Sequence, residues 1–253
     1  MGAGHGHGLH YHGHSVVHRL PAHVKLVAVL AFVVVVVATP NRWFWAFAGY
    51  AVLVLAAAGA TRVPVGYFVK RMVVEVPFVV FALLMPFVAR GPRVEVGPFS
   101  VSEHGLVGAF GLLAKATIGV VAALTLATTT EPRDLVAGLE RLRLPRQLVE
   151  IMGFMVRYLE VVTDDLRRMK VARESRGFTA RSVSAWPVLA SSAGSLFIKS
   201  YERGERVHLA MLSRGYQGRM PVTRQLHATA ADWRLAALLP VTAALVLAAG
   251  VLL

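Results

Sequence analysis

The sequence predicts an all-α polytopic membrane protein with about five transmembrane helices and a cytoplasmic helical domain. Three observations carry this. Hydrophobic residues make up 56% of the 253 residues and charged residues only 16%, whereas soluble domains run near ~45–50% and ~25%. The apolar residues gather into five stretches, each close to the ~20 residues that cross a bilayer core. Of the 27 Lys and Arg, 18 fall between Glu131 and Arg234, beside 11 of the 14 acids, and such basic segments stay on the cytoplasmic side.

Residues 1–22 are a His/Gly-rich tail. His5, His7, His10, His12 and His14 stand mostly between glycines, with no apolar periodicity, so the tail cannot bury a core and is expected to be flexible. Clustered imidazoles suit divalent cobalt, nickel, copper or zinc. Nothing in the spacing shapes them into one geometry, so a plain tail and an auxiliary metal site both stand. The basic n-region and cleavage site of a secretory signal are missing, and no cleaved peptide is expected.

Residues 23–130 carry four predicted spans. Val24–Thr39 is nearly all apolar and is broken by Pro40. Trp43–Ala60 opens on Trp43, Phe44 and Trp45, an interfacial aromatic anchor. Val73–Ala89 is made irregular by Glu75, Pro77 and Pro86. Gly105–Thr128 follows Ser100-x-x-Glu103, which has capping-box spacing. A fifth span, Trp233–Leu253, fills residues 233–253. Pro187–Ile198 is too short to cross and leaves the count between five and six; its small residues favour close helix packing. With five spans and a cytoplasmic N-terminus, the C-terminus is outside.

Residues 131–232 read as cytoplasmic helices. Thr130-Glu131-Pro132-Arg133-Asp134 is a helix start, with a hydroxyl cap, proline in the first turn and acids at the positive dipole end. Leu135, Leu139 and Leu142 form a stripe that Pro145 stops. A second helix is predicted from about Gln147 to Val171, roughly 37 Å long at ~1.5 Å per residue. Its polar positions, among them Glu150, Arg157, Asp164 and Arg168, leave a broad apolar face, and Asp164–Arg168 is a favourable i,i+4 pair. A third helix runs from about Ala185 to Ser213. Both long helices are expected to lie across or just under the membrane. Glu75 and Lys115, ionisable residues inside apolar stretches, either pair with each other or snorkel.

The two long helices end alike. Ala172-Arg173-Glu174-Ser175-Arg176-Gly177-Phe178 returns 38 positions later as Ala210-Met211-Leu212-Ser213-Arg214-Gly215-Tyr216. Both read Ala-x-x-Ser-Arg-Gly-aromatic. Glycine ends a helix by taking the left-handed conformation without steric cost, and arginine suits the negative dipole end. Each copy alone is an ordinary C-cap. Four matched positions at the same place in two helices make a paired docking surface the better reading.

Catalytic motifs are missing. No Gly-x-x-x-x-Gly-Lys-Ser/Thr loop, His-Glu-x-x-His motif or Gly-x-Ser-x-Gly elbow occurs, so no catalytic residue is assigned and ATP hydrolysis by this chain is not expected. Cysteine is absent, which removes disulfides and thiolate metal sites. A net charge of +13 could suit nucleic acid, but acids interleave the basic segment, so no nucleic-acid partner is expected. A stand-alone metal permease would need intramembrane ligands, and Glu75 is the lone acid within a span.

The order of spans, the basic helical segment, the two Ala-x-x-Ser-Arg-Gly-aromatic ends and the final span resemble the transmembrane (T) component of energy-coupling factor transporters. Thr129-Thr130 with Pro132, the Leu135/Leu139/Leu142 stripe with Pro145, and Arg157-Tyr158 look like that family too. The resemblance covers about His18 to the end and is nearest to the cobalt-type member, CbiQ, with which the histidine tail agrees. It implies that residues 131–232 are coupling helices whose arginines, matched here by Arg176 and Arg214, dock into two ABC-type ATPase subunits. Ala172, Ser175, Gly177 and Phe178, with Ala210, Ser213, Gly215 and Tyr216, would build the two tips. It further implies a substrate-binding membrane (S) subunit held on the apolar helix faces, ATP and Mg on the partners, no cofactor on this chain, and cobalt or nickel as substrate. A T component serving another micronutrient, such as a vitamin, fits the same residues.

Overall fold

The computed structural model describes residues 13, 15–89, 92–96, 99–178, 185–218 and 227–252. In chain order its first helices are α1 (Val16–Arg19), α2 (Ala22–Ala38), α3 (Phe44–Ala60), α4 (Val65–Arg71) and α5 (Val76–Val88). A short hairpin, β1 (Arg93–Val96) and β2 (Phe99–Ser102), precedes α6 (Glu103–Thr129) and α7 (Pro132–Arg141). Then come α8 (Arg146–Glu174), α9 (Trp186–Leu212) and α10 (Ala230–Leu252). The chain divides into two compact units, Met1–Leu142 with Leu226–Leu253, and Arg143–Gln225.

The first unit holds the membrane helices. Val65–Val88, α6 and α10 are long and apolar enough to cross a membrane, and α2 and α3 are shorter apolar helices. The protein is therefore an all-α polytopic membrane protein, with one antiparallel hairpin in the register Arg93↔Ser102 to Val96↔Phe99. Its core joins Phe32 and Val36 of α2, Phe47, Tyr50 and Val54 of α3, Ile118 and Val121 of α6, and Ala243 of α10. The Tyr50 and Thr39 hydroxyls meet at 3.0 Å, and Thr39 donates onward to the Val35 carbonyl. These two buried hydroxyls thus pair internally, as hydrocarbon surroundings require.

Three expectations change. The third span starts at Val65 rather than Val73, because a 3-10 turn over Met72–Glu75 joins α4 to α5. Pro77 does not interrupt it: in the first turn of α5 a missing N–H costs no helical bond. Lys70 and Arg71 therefore lie on a helix, where the Arg71 guanidinium covers the Tyr67 ring at 3.5 Å. Ser100 belongs to β2, and Ser102 caps α6 by accepting the Gly105 N–H at 3.4 Å. Thr130 closes α6 instead of capping α7, whose N-cap position is Glu131. As predicted, Pro187–Ile198 is part of one long helix, α9.

The first unit extends through Leu142, because α7 packs on α2. Gly138 permits the contact: a Cβ there would lie 2.9 Å from the His23 amide nitrogen. Lys25 is inside α2 and only 6% exposed. Its ammonium donates to the Thr129 carbonyl at 2.8 Å, one of the acceptors left over where a helix ends. The start of α2 thereby holds both the end of α6 and α7.

Candidate coupling site

The second unit is built on α8 and α9, and the two heptapeptides end these helices with one geometry used twice. Gly177 and Gly215 take φ of 73° and 81°. The Gly177 N–H donates to the Glu174 carbonyl at 3.0 Å, and the Phe178 N–H reaches back to the Arg173 carbonyl at 3.1 Å. In the second copy Gly215 donates to Leu212 and Tyr216 to Met211, both at 3.0 Å. These are the paired bonds of a Schellman cap. The serine of each copy adds a third: Ser175 donates to the Ala172 carbonyl and Ser213 to the Ala210 carbonyl, both at 3.0 Å. Arg176 and Arg214 occupy the position before the glycine and are exposed. Neither guanidinium is hydrogen-bonded or ion-paired to another described residue.

An added Cβ at Gly177 or Gly215 would meet nothing within 4 Å. Glycine is needed there for backbone conformation alone, since left-handed backbone costs other residues about 1–2 kcal/mol. Gly177→Val and Gly215→Val are expected to fray the last turns, seen as faster amide exchange over 172–178 and 210–216. Asn, which tolerates this region, is expected to protect better than Val.

Three polar ties join α8 to α9. Arg173 donates to the Ser192 hydroxyl at 2.7 Å. Asp165 is gripped at both oxygens, by Lys199 at 2.6 Å and Arg203 at 3.0 Å. The Tyr216 hydroxyl donates to Glu150 at 3.0 Å, whose other oxygen pairs with Arg146 at 3.1 Å. As the α8 residue number rises from 150 to 173, the α9 partner falls from 216 to 192, so the helices run antiparallel. Each tip thus lies beside the start of the other helix. The Lys199 hydrogen bond, opposed by desolvation and reinforced by Arg203, holds the Asp165 carboxyl below its usual range. The bond to Glu150 raises the Tyr216 hydroxyl and keeps it a donor.

The helices bury little against each other. Val149 and Asp165 are the buried residues of α8, and α9 has none. Leu148, Ile151, Met155, Leu159 and Leu166 form an exposed stripe on α8 at helical spacing. On α9, Trp186, Phe197 and Tyr201 are exposed at 68%, 72% and 61%. Long helices with apolar faces this open are built to be covered by something else.

A family model described as "Cobalt transport protein" (CbiQ) matches residues 13–226. The chain belongs to the CbiQ family. Its relatives include the "Energy-coupling factor transporter transmembrane protein EcfT" of Bacillus selenitireducens, 32% identical over 237 residues that cover 85% of each chain. The protein of the same description from Bacillus subtilis is 28% identical over 224 residues, covering 81% of this chain and 82% of its own. The expected resemblance to the T component of energy-coupling factor transporters is thereby established, and with it a place in a membrane-embedded, multi-component transporter.

In this CbiQ-family chain, Arg173 is committed to Ser192, which leaves Arg176 as the arginine of the first copy with no partner among the described residues. The predicted Asp164–Arg168 pair gives way to the cross-helix grip on Asp165, which periodicity did not single out. Glu75 and Lys115 do not pair: Glu75 accepts the Thr117 hydroxyl, and Lys115 donates to the Val37 carbonyl at 3.0 Å. Each finds the nearest group on a neighbouring helix, as ionisable residues in apolar spans do. His5, His7, His10, His12 and His14 lie outside the described residues. Among the described residues, no group of three or more His, Asp or Glu is placed to hold a metal ion.

Proposed function

We propose that the chain is the transmembrane coupling subunit of an ATP-driven energy-coupling-factor importer for cobalt or nickel. Arg176 and Arg214 dock one into each of two ABC-type ATPase subunits, and the apolar faces of α8 and α9 hold a substrate-binding membrane subunit. The observation that carries this reading is the duplicated cap, which leaves one guanidinium at each end of an antiparallel helix pair without a partner among the described residues. A guanidinium stays charged when desolvated and matches carboxylates with a planar fork. Two such arms suit two copies of one kind of groove.

The chain itself is non-catalytic and binds no nucleotide; ATP and Mg sit on the ATPases. Its N-terminus and coupling helices face the cytoplasm, where the basic segment is retained. Substrate is bound mainly by the membrane subunit, and the histidines of the tail add an auxiliary site for a divalent transition metal. Cobalt is supported by the description of the family and by that imidazole chemistry. The names of these relatives specify no metal; in a second reading the same arms serve another micronutrient, such as a vitamin.

Purification of the wild-type chain from its native membranes in mild detergent, followed by uptake assays in vesicles, tests both readings. Co-elution of two ATPase subunits and a membrane subunit, with ATP-dependent cobalt or nickel uptake, is the expected result. A chain that elutes alone overturns the coupling reading. A complex that imports a vitamin and no metal moves the assignment to the second reading.

A further inference from the structure

We infer that Asp165 is a positioning residue that sets the spacing of the two arginine tips by locking the crossing of α8 and α9. This rests on the reading of Arg176 and Arg214 as docking arms. Packing does not hold the two helices, since α9 buries no residue and α8 buries only Val149 and Asp165. Their relation depends on polar ties instead, and the tie at Asp165 is the one that specifies register. Lys199 and Arg203 stand one turn apart on α9 and take one carboxylate oxygen each. Sliding α9 by a turn, about 5.4 Å, would leave one of these cations without its oxygen.

The end ties are weaker guides. Arg173 finds a neutral hydroxyl on Ser192, and Tyr216 offers a neutral donor to Glu150. Hydrogen bonds with both partners charged are the stronger ones, and Asp165 receives two of them across the helix pair, from Lys199 and Arg203. Among the described residues of the unit it is also the one buried charged side chain, 9% exposed. Along α8 from Glu150, beside the second tip, to Arg176 at the first, the distance is roughly 40 Å at ~1.5 Å per residue. A loose crossing would spread that distance and misplace one arm whenever the other is seated.

The chain has no cysteine, so spin labels can be placed without background. Lys170→Cys and His208→Cys sit on exposed positions two residues before each motif. Double electron–electron resonance on the purified full-length chain is expected to give one narrow distance for otherwise wild-type protein. Asp165→Asn, which keeps the shape and removes the charge, is expected to broaden or shift it by about one turn's rise, ~5 Å. Asp165→Glu keeps the charge and is expected to restore a narrow distribution. Asp164→Asn, the neighbouring acid, is expected to leave it unchanged. Superposition of Asp165→Asn on wild type, or equal broadening by Asp164→Asn, overturns the proposal. In reconstituted transporters, Asp165→Asn is expected to retain the ATPase subunits but to hydrolyse more ATP for each substrate imported; unchanged coupling there also overturns it. If wild type binds no ATPases at all, it is the coupling reading that fails, and the distance measurement judges Asp165 independently.

Discussion

Replacing Arg176 and Arg214 together by alanine is expected to abolish co-elution of the ATPase subunits and uptake, while the chain still inserts into the membrane. Insertion depends on the apolar helices of the first unit, and neither arginine contributes to them. Nor does either stabilise its own cap, whose bonds run between backbone groups and the serine hydroxyls. The change therefore removes docking chemistry without removing structure. Truncating a central arginine at an interface typically costs about 2 kcal/mol or more. At ~1.4 kcal/mol per tenfold, two such losses weaken binding by roughly a thousandfold. Each single variant is expected to retain a weakened complex. Normal ATPase recovery and uptake in the double variant would show that the duplicated ends are only helix caps.

Gly105→Val is expected to give the largest loss of stability in the membrane unit. A Cβ at this position would lie 2.7 Å from the Pro86 Cα and 2.8 Å from the Met85 carbonyl oxygen. Both are backbone atoms, so no side chain can rotate out of the way and α5 must move off α6. Overpacking of this kind costs about 1–3 kcal/mol and occasionally more. Gly119→Val, on the same helix, is the control, because an added Cβ there meets nothing within 4 Å. Thermal unfolding in detergent, followed by tryptophan fluorescence, is expected to show a lowered midpoint for Gly105→Val and little change for Gly119→Val. Equal midpoints would mean that α5 and α6 do not approach closely at Gly105.

The difference between Gly105 and Gly177 marks what kind of information each needed. Gly177 and Gly215 were legible because their role is local: the end of a helical pattern, a left-handed residue and a recurring neighbour set are all written within seven residues. The spans were legible for a similar reason. Crossing a membrane is mainly a matter of length and apolarity, and α2, α3, α6 and α10 lie close to where composition put them. The 3-10 turn at Met72–Glu75 was not, since a break tolerated by neighbouring helices looks in sequence like the boundary of a span.

By itself the sequence determined the membrane class, the two long amphipathic helices and their matched ends, because each follows from the preferences of residues near one another in the chain. Only the tertiary structure decided that α7 lies against α2 through Gly138, that Lys25 holds the end of α6, and that Glu75 and Lys115 find separate partners. It also decided between Asp164 and Asp165. One residue along a helix is about 100° of rotation, so two adjacent acids with the same chemistry face different surroundings. Periodicity along α8 gives its own faces but says nothing of where Lys199 and Arg203 stand on another helix. That depends on the axial register and rotation between α8 and α9, which long-range contacts alone specify.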